Sequence, residues 1–225
     1  MTPDYNRAAA AALETLKFCG IKSAPIDPLP MLKNRELLRD KGDVILRSFS
    51  EVSEESGMDR KALVSMFGPA NQDAVTTVMI EDGFPTYVIT YNAQLPFALI
   101  QRALSRELGH IILGHDGSLP DEIRYAEAKC FAHHLLCPRP LLRIVQDSGI
   151  AFTADLLSNM TGCNDHCLMC MKHLPGTSVP ASLNREIRNM FEDYAENFLR
   201  FQMILSNNDT SRFCIFGTYM EGYIE

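Results

Sequence analysis

Glu107, His110 and His115 lie close together in the sequence and have types and spacing suited to metal chemistry. In a helix of the His-Glu-x-x-His type, two histidines four residues apart bind a zinc ion, and the glutamate beside the first is the general base toward the metal's water. Glu107 and His110 stand in this relation, but Arg106 holds the position of the first histidine. By itself, a Glu-x-x-His pair is more typical of an ordinary helix surface than of half a site.

Two long helices are predicted to position these residues. The first runs from Phe97 to about Leu113, and the second from about Asp121 to Cys137, where Pro138 and Pro140 are expected to halt it. Gly109 lies in the middle of the first helix, where glycine costs about 1 kcal/mol relative to alanine. This cost indicates a requirement at that position, such as the close approach of another element or of a bound group.

The stretch from Tyr87 to Pro138 carries a recognisable series of motifs. It contains a strand ending in Tyr-Asn, a short loop, and the run Glu-Leu-Gly-His-Ile-Ile-Leu-Gly-His from Glu107. A variable loop follows, and then a helix that reads Glu-Ala-Lys-Cys-Phe-Ala-His-His-Leu-Leu-Cys-Pro from Glu127. The layout resembles the ImmA/IrrE family of intracellular zinc peptidases, which carry Glu-Ala-Asn-x-Phe-Ala-x-x-Leu-Leu-Met-Pro at the second place. A helix pair predicted at 152–174 extends the resemblance weakly.

The resemblance implies zinc-dependent endoproteolysis, directed in the best-known members at helix–turn–helix transcriptional repressors. Carried over by residue, it makes Glu107 the general base and His110 a zinc ligand. Glu127 matches a neighbouring acidic position and is a candidate further ligand. The chain departs from the family at two ligand positions, which hold Arg106 and Tyr125.

Arginine in a ligand position has a direct physical consequence. Its guanidinium is always protonated and has no lone pair, so it cannot bind a cation, and its charge opposes metal binding nearby. A catalytic zinc usually has three protein ligands, which this motif does not supply. We hypothesise that the Arg106 guanidinium occupies the place of the metal and pairs with Glu107 or Glu127.

An unconventional metal site is the alternative. Four potential ligands recur on one face of the second predicted helix: Glu127, Cys130, His134 and Cys137. If this face met His110, with His115 nearby, the side chains would form a mixed nitrogen, sulfur and oxygen site. The favoured interpretation is simple packing, with both cysteines buried and with His133 and His134 partly exposed, because cysteine is among the most commonly buried residues.

A second cysteine group follows the motif helices. Cys163, Cys167 and Cys170 have the C-x3-C-x2-C spacing of an iron–sulfur motif in radical SAM enzymes, and with His173 they would also suit a zinc site. On a helix, however, the three cysteines align with other apolar residues in one stripe. Such a stripe is typical of a buried helix face, and this is the favoured interpretation.

The predicted fold class is α+β: a mostly helical, zincin-like domain with a small β-sheet and a helical C-terminal part. Two β-rich segments, Ala74–Glu81 and Thr86–Tyr91, flank an Asp-Gly turn and predict a hairpin. Residues 1–177 are expected to form the peptidase-family domain. Residues 178–225 are expected to form a C-terminal helix and tail packed on it. A helix over 5–18 and a strand over Val44–Phe49 are also predicted.

Composition and charge restrict the function classes. The net charge of −7 repels nucleic-acid phosphates, and Lys and Arg are scattered along the sequence, so direct nucleic-acid binding is not expected. No stretch approaches the roughly 18 consecutive apolar residues of a membrane span. Seven cysteines without the paired spacing of a secreted scaffold favour reduced thiols and a cytoplasmic location.

Two functional interpretations follow from these observations. The favoured one is a non-catalytic or weakly active relative of the ImmA/IrrE peptidases that binds a protein partner, such as a helix–turn–helix repressor. The alternative is an active zinc endopeptidase with an unconventional ligand set, in which zinc is the cofactor. The metal content of the protein distinguishes the two.

Overall fold

The computed structural model describes residues 1–66, 73–150, 153–163 and 176–207, and these form a mostly helical α+β fold with a small three-stranded sheet. The strands are β1 (Asp43–Ser48), β2 (Ala74–Glu81) and β3 (Phe84–Tyr91). The first helices are α1 (Tyr5–Phe18), α2 (Leu29–Leu32), α3 (Phe49–Ser56) and α4 (Arg60–Met66). The later helices are α5 (Phe97–Ile112), α6 (Asp121–Leu136), α7 (Arg139–Asp147), α8 (Ala154–Thr161) and α9 (Ala181–Asn207).

The sheet has the strand order β1-β3-β2. Strand β1 is parallel to β3, and β2 is antiparallel to β3 in the predicted hairpin, which is confirmed. Asp82 and Gly83 form the turn with φ angles of 51° and 81°, the left-handed values that a type I′ turn requires at both central positions. Strand β2 therefore lies at one edge of the sheet.

Strand β1 passes directly into α3 at Ser48. The Ser48 hydroxyl accepts a hydrogen bond from the backbone N–H of Glu51, and the Glu51 carboxylate accepts one from the backbone N–H of Ser48. This capping box satisfies two backbone donors at the start of the helix. The strand consequently ends one residue earlier than predicted, because Phe49 already belongs to the helix and is fully buried, and it also begins one residue earlier, at Asp43.

The core forms where α1 and α5 pack against α6, with α9 closing it from the side of α7 and α1. Its largest fully buried members on these helices are Leu13, Leu16, Leu104, Leu108, Ile111, Phe131 and Phe191. The helices predicted over 97–113 and 121–137 correspond to α5 and α6, each of which ends one residue earlier than predicted, and the predicted C-terminal helix corresponds to α9. None of the helices in the described ranges has the length and apolar character that crossing a bilayer requires.

Helix α7 follows the two prolines that were expected to end the second long helix. Helix α6 does end at Leu136, and Pro138 then precedes α7 as its N-cap. Pro140 is accommodated because it lies in the first turn of α7, where a backbone N–H has no helical partner to lose. The helix predicted over 152–160 corresponds to α8, whereas its predicted partner over 166–174 lies outside the described residues.

Gly109 marks the point of closest approach between α5 and α6. A Cβ atom built at this position would lie 2.9 Å from Cδ1 of Phe131 and 3.2 Å from the carbonyl oxygen of Ala128, both on α6. These distances are too short for an ordinary side-chain contact. The glycine in mid-helix is thus explained by the close approach of another element, one of the two reasons predicted.

We expect Gly109→Ala to destabilise the protein by about 1–3 kcal/mol, because the added methyl forces α5 and α6 apart against a packed ring and a backbone carbonyl. Urea unfolding followed by circular dichroism measures the change. Gly117→Ala is the matched control, since a Cβ there meets nothing within 4 Å, and its effect should stay within about 0.5 kcal/mol. Equal stability of the two variants would contradict the packing argument.

Candidate functional site

A buried ion pair occupies the motif of helix α5. Arg106 and Glu107 are only 9% and 5% exposed. Nε and Nη2 of Arg106 donate hydrogen bonds to Oε1 of Glu107 at 3.1 and 3.0 Å, and the Thr76 hydroxyl donates to Oε2 at 2.8 Å. Nη2 of Arg106 also donates to the carbonyl oxygen of Ala74 at 3.1 Å. Both carboxylate oxygens of Glu107 are therefore engaged, and the pair is tied to strand β2.

Opposing effects act on the Glu107 carboxyl. Burial is the largest and raises its pKa, while the Arg106 charge and the bonds from Thr76 and Arg106 act to lower it. A general base needs a carboxylate oxygen that is within reach of a water proton. Both oxygens of Glu107 are already bound, so in this arrangement the residue is the counterion of a buried guanidinium.

Arg106 and Tyr125, the two residues that differ from the family's ligand positions, are neighbours in space. The guanidinium carbon of Arg106 lies 5.6 Å from the centroid of the Tyr125 ring, a cation–π distance. Tyr125 remains 44% exposed. Of the two carboxylates suggested as partners for Arg106, Glu107 is the one that it contacts, and Glu127 bonds elsewhere.

His110, His115 and Glu127 form a chain of hydrogen bonds beside this pair. The two Nδ1 atoms of the histidines lie 2.9 Å apart, and Nε2 of His115 lies 3.0 Å from Oε2 of Glu127. The other Glu127 oxygen accepts the backbone N–H of Asp4 at 2.7 Å, and Nη1 of Arg7 lies 3.9 Å from Oε2. The start of α1 thus belongs to the site, which no local sequence pattern indicated.

The hydrogen-bond partners of His110 and His115 determine which nitrogen of each ring carries the proton. Burial lowers the pKa of His110 to about 3 and also lowers the pKa of His115, so both rings are neutral near pH 7. A carboxylate only accepts hydrogen bonds, so His115 donates from Nε2 and carries its lone pair on Nδ1. His110 must then donate from its own Nδ1, which leaves the lone pair of His110 on Nε2.

The side chains of this site do not provide the ligands that a catalytic zinc ion needs. Such an ion takes three protein ligands and a water, whereas in the described ranges no three His, Cys, Asp or Glu side chains converge as a metal ion requires. His115 uses both ring nitrogens in hydrogen bonds, and Glu107 is held by Arg106. No chemical step at this site is therefore assigned to zinc.

The unconventional ligand set on α6 is not brought together. The Cys130 thiol contacts the carbonyl oxygen of Tyr5 at 3.7 Å, and burial raises its pKa to about 12. Cys137 is fully buried in the core, and His134 faces Thr177 instead, with Nε2 3.3 Å from the hydroxyl. Packing is confirmed for both cysteines. The expected partial exposure of His133 and His134 is wrong, because both are buried where neighbouring elements cover α6.

The second cysteine group is described only at its first member. Cys163 is buried, and its sulfur lies 3.8 Å from the carbonyl oxygen of Leu136. This supports packing for Cys163. Cys167, Cys170 and His173 lie outside the described residues.

Comparisons with known proteins add no relative: no protein-family model, curated protein or solved structure matches this chain. Membership of the ImmA/IrrE family therefore stays a prediction from the motif helices.

Replacing Glu107 alone should destabilise the protein far more than replacing both residues of the ion pair. We expect Glu107→Leu to lose about 3–5 kcal/mol of unfolding free energy, because it leaves the buried Arg106 charge without a partner. The double variant Arg106→Met/Glu107→Leu should recover most of this loss.

Urea unfolding of both variants and the wild type measures these differences. Glu36→Leu, which breaks the exposed pair with Arg39, is the matched control and should change stability by less than about 1 kcal/mol. If the double variant were as unstable as Glu107→Leu, the loss of stability would not come from the unpaired Arg106 charge, and the prediction would be wrong.

Proposed function

We propose that this chain is a non-catalytic or weakly active relative of the ImmA/IrrE zinc peptidases that binds a protein partner, such as a helix–turn–helix repressor. The observation that carries the proposal is the buried pair of Arg106 and Glu107 at the motif where a peptidase needs a metal ligand and a free base. A guanidinium neutralises the buried carboxylate, as a metal would, but it provides no Lewis acid and no bound water.

The electrostatics of the pair also act against a metal ion. Arg106 carries a permanent positive charge one helical turn from His110, and this charge contributes to the low pKa of the His110 ring. The same repulsion that disfavours a proton on His110 disfavours a divalent cation there. The motif positions are then better suited to holding α5 against the sheet than to hydrolysis.

Strand β2 offers a surface for a partner protein. Its only strand neighbour among the described residues is β3, so an extended segment can add to the other edge of β2. The outer half of the hairpin is exposed and apolar: Val78 is 50%, Ile80 74% and Phe84 69% exposed. Apolar side chains next to a free strand edge are typical of a β-augmentation site.

This surface adjoins the ion pair. Side chains alternate along a strand, so Thr76, Val78 and Ile80 lie on one face of β2. Thr76 is hydrogen-bonded to Glu107, and the two apolar residues continue the same face beyond it. A segment added to β2 would therefore run past the altered motif, which supports a single connected surface for recognition.

The charge of the chain supports a repressor as the partner. A net charge of −7 complements the basic surface that any DNA-binding protein needs for its phosphate contacts. Binding between such surfaces is fast at low salt and weakens as salt is added.

Elemental mass spectrometry of protein purified without chelators tests the missing metal. We expect far less than one zinc per chain in the wild type. The variant Arg106→His/Tyr125→Glu should bind clearly more zinc, because it places metal ligands at the two positions where the chain departs from the family. Arg106→Gln/Tyr125→Gln is the control that removes the same residues without adding ligands, and it should stay metal-free. Stoichiometric zinc in the wild type would overturn the proposal in favour of the active endopeptidase.

A binding assay tests the partner surface. We expect one of the helix–turn–helix repressors of the source genome to bind the wild type. We expect Val78→Lys/Ile80→Lys to weaken that binding by about tenfold or more, because the variant places two charges in an apolar contact. Phe18→Lys/Ile204→Lys adds the same charges at exposed apolar positions elsewhere and is the control. Equal weakening by both variants, or no binding repressor, would contradict the proposal.

A further inference from the structure

A cavity of about 300 Å³ lies between α7, α9 and the segment around Thr177, and none of the motif residues of α5 line it. Four arginines line this cavity: Arg139 and Arg143 on α7, and Arg185 and Arg188 on α9. The expectation of scattered basic residues is wrong at this place, because folding joins two arginine pairs from distant parts of the sequence. An acidic chain thus contains a strongly basic cavity.

The positive charge of the cavity is compensated only in part. Arg188 forms an ion pair with Asp147 at 2.6 Å, whereas Arg143 and Arg185 form no ion pair with any residue in the described part of the chain. Arg139 and Arg143 lie one turn apart on α7, and Arg185 and Arg188 are similarly close on α9, so both pairs repel. This arrangement favours a bound anion.

Buried polar groups continue the cavity inward. The Thr177 hydroxyl accepts a hydrogen bond from Nη1 of Arg139 at 3.0 Å and lies 3.3 Å from Nε2 of His134. His134 lines the cavity at only 1% exposure, and its Nδ1 has no hydrogen-bond partner among the described residues. The Thr177 hydroxyl and the His134 ring therefore add polar groups to the lining of the cavity beside the arginines.

We propose that this cavity binds a small, multiply charged phosphate compound, such as a phosphomonoester or pyrophosphate. Arg143 and Arg185, which form no ion pair with any described residue, supply two positive charges, and these match a group that carries about two or more negative charges at neutral pH. The guanidinium fork fits phosphate oxygens in bidentate geometry. The volume lies at the lower end of the range for small-molecule sites, roughly 300–1,000 Å³, which favours a compact ligand.

Isothermal titration of the full chain with pyrophosphate at low ionic strength tests the proposal. We expect saturable binding of one pyrophosphate per chain, weakened by about tenfold or more in Arg143→Gln/Arg185→Gln, because two charge-assisted contacts are lost. Both side chains are exposed and have no ion pair among the described residues, so the variant should keep the wild-type melting temperature.

Arg200→Gln/Lys61→Gln is the matched control. It changes the net charge by the same amount at exposed positions that do not line the cavity, and it should bind pyrophosphate with an affinity close to that of the wild type. No saturable binding, or equal weakening by the two variants, would overturn the proposal. Tighter binding of citrate would overturn the assignment to phosphate. Tighter binding of duplex DNA would point to an open basic surface and would overturn the small-ligand site.

Discussion

The contact between α5 and α6 at Gly109 is the constraint on which the candidate site depends. Helix α5 carries Arg106, Glu107 and His110, and α6 carries Tyr125 and Glu127. The absence of a side chain at position 109 lets Phe131 and the Ala128 carbonyl approach the α5 backbone. Since the interactions across the helix pair extend over only 3–6 Å, a small separation of the helices would break the bond between His115 and Glu127 and the ring contact of Arg106.

The two buried carboxylates of this region are stabilised by different means. Glu107 has a full positive charge beside it and a hydroxyl on its other oxygen. Glu127 is held mainly by neutral donors, the Asp4 backbone N–H and the His115 ring, with Arg7 more distant. Burying a carboxylate is costly unless it is hydrogen-bonded, and both arrangements meet this requirement. Two structural roles for two carboxylates agree better with a binding protein than with an acid–base pair.

Local sequence patterns were sufficient for much of the fold. The Asp-Gly turn at residues 82 and 83 predicted the hairpin, because few other residues accept the left-handed conformation twice in succession. The helix predicted from Phe97 to about Leu113 corresponds to α5. Pro138 and Pro140 predicted the end of α6, and α7 begins directly after it because Pro140 is tolerated in a first turn.

Contacts between distant residues could not be predicted in the same way. The bond from Arg106 to the Ala74 carbonyl joins residues 32 positions apart, and the bond from Asp4 to Glu127 joins residues 123 positions apart. The pairing of Arg106 with Glu107 was one of two options, since the sequence gives the spacing along a helix but not the direction of a long side chain. His134 was expected at the surface because its own helix gave no sign of the neighbours that cover it.

The arginine-lined cavity within an acidic molecule has a kinetic consequence. An anion that approaches from solution first meets the field of the whole chain, which is repulsive, and only within the cavity does it meet the guanidinium groups. Dissolved salt screens the distant field beyond about 8 Å at physiological strength, but it reaches contacts inside a cavity less effectively. The repulsion that an approaching anion meets therefore depends more strongly on salt than the short contacts that it makes once it is bound.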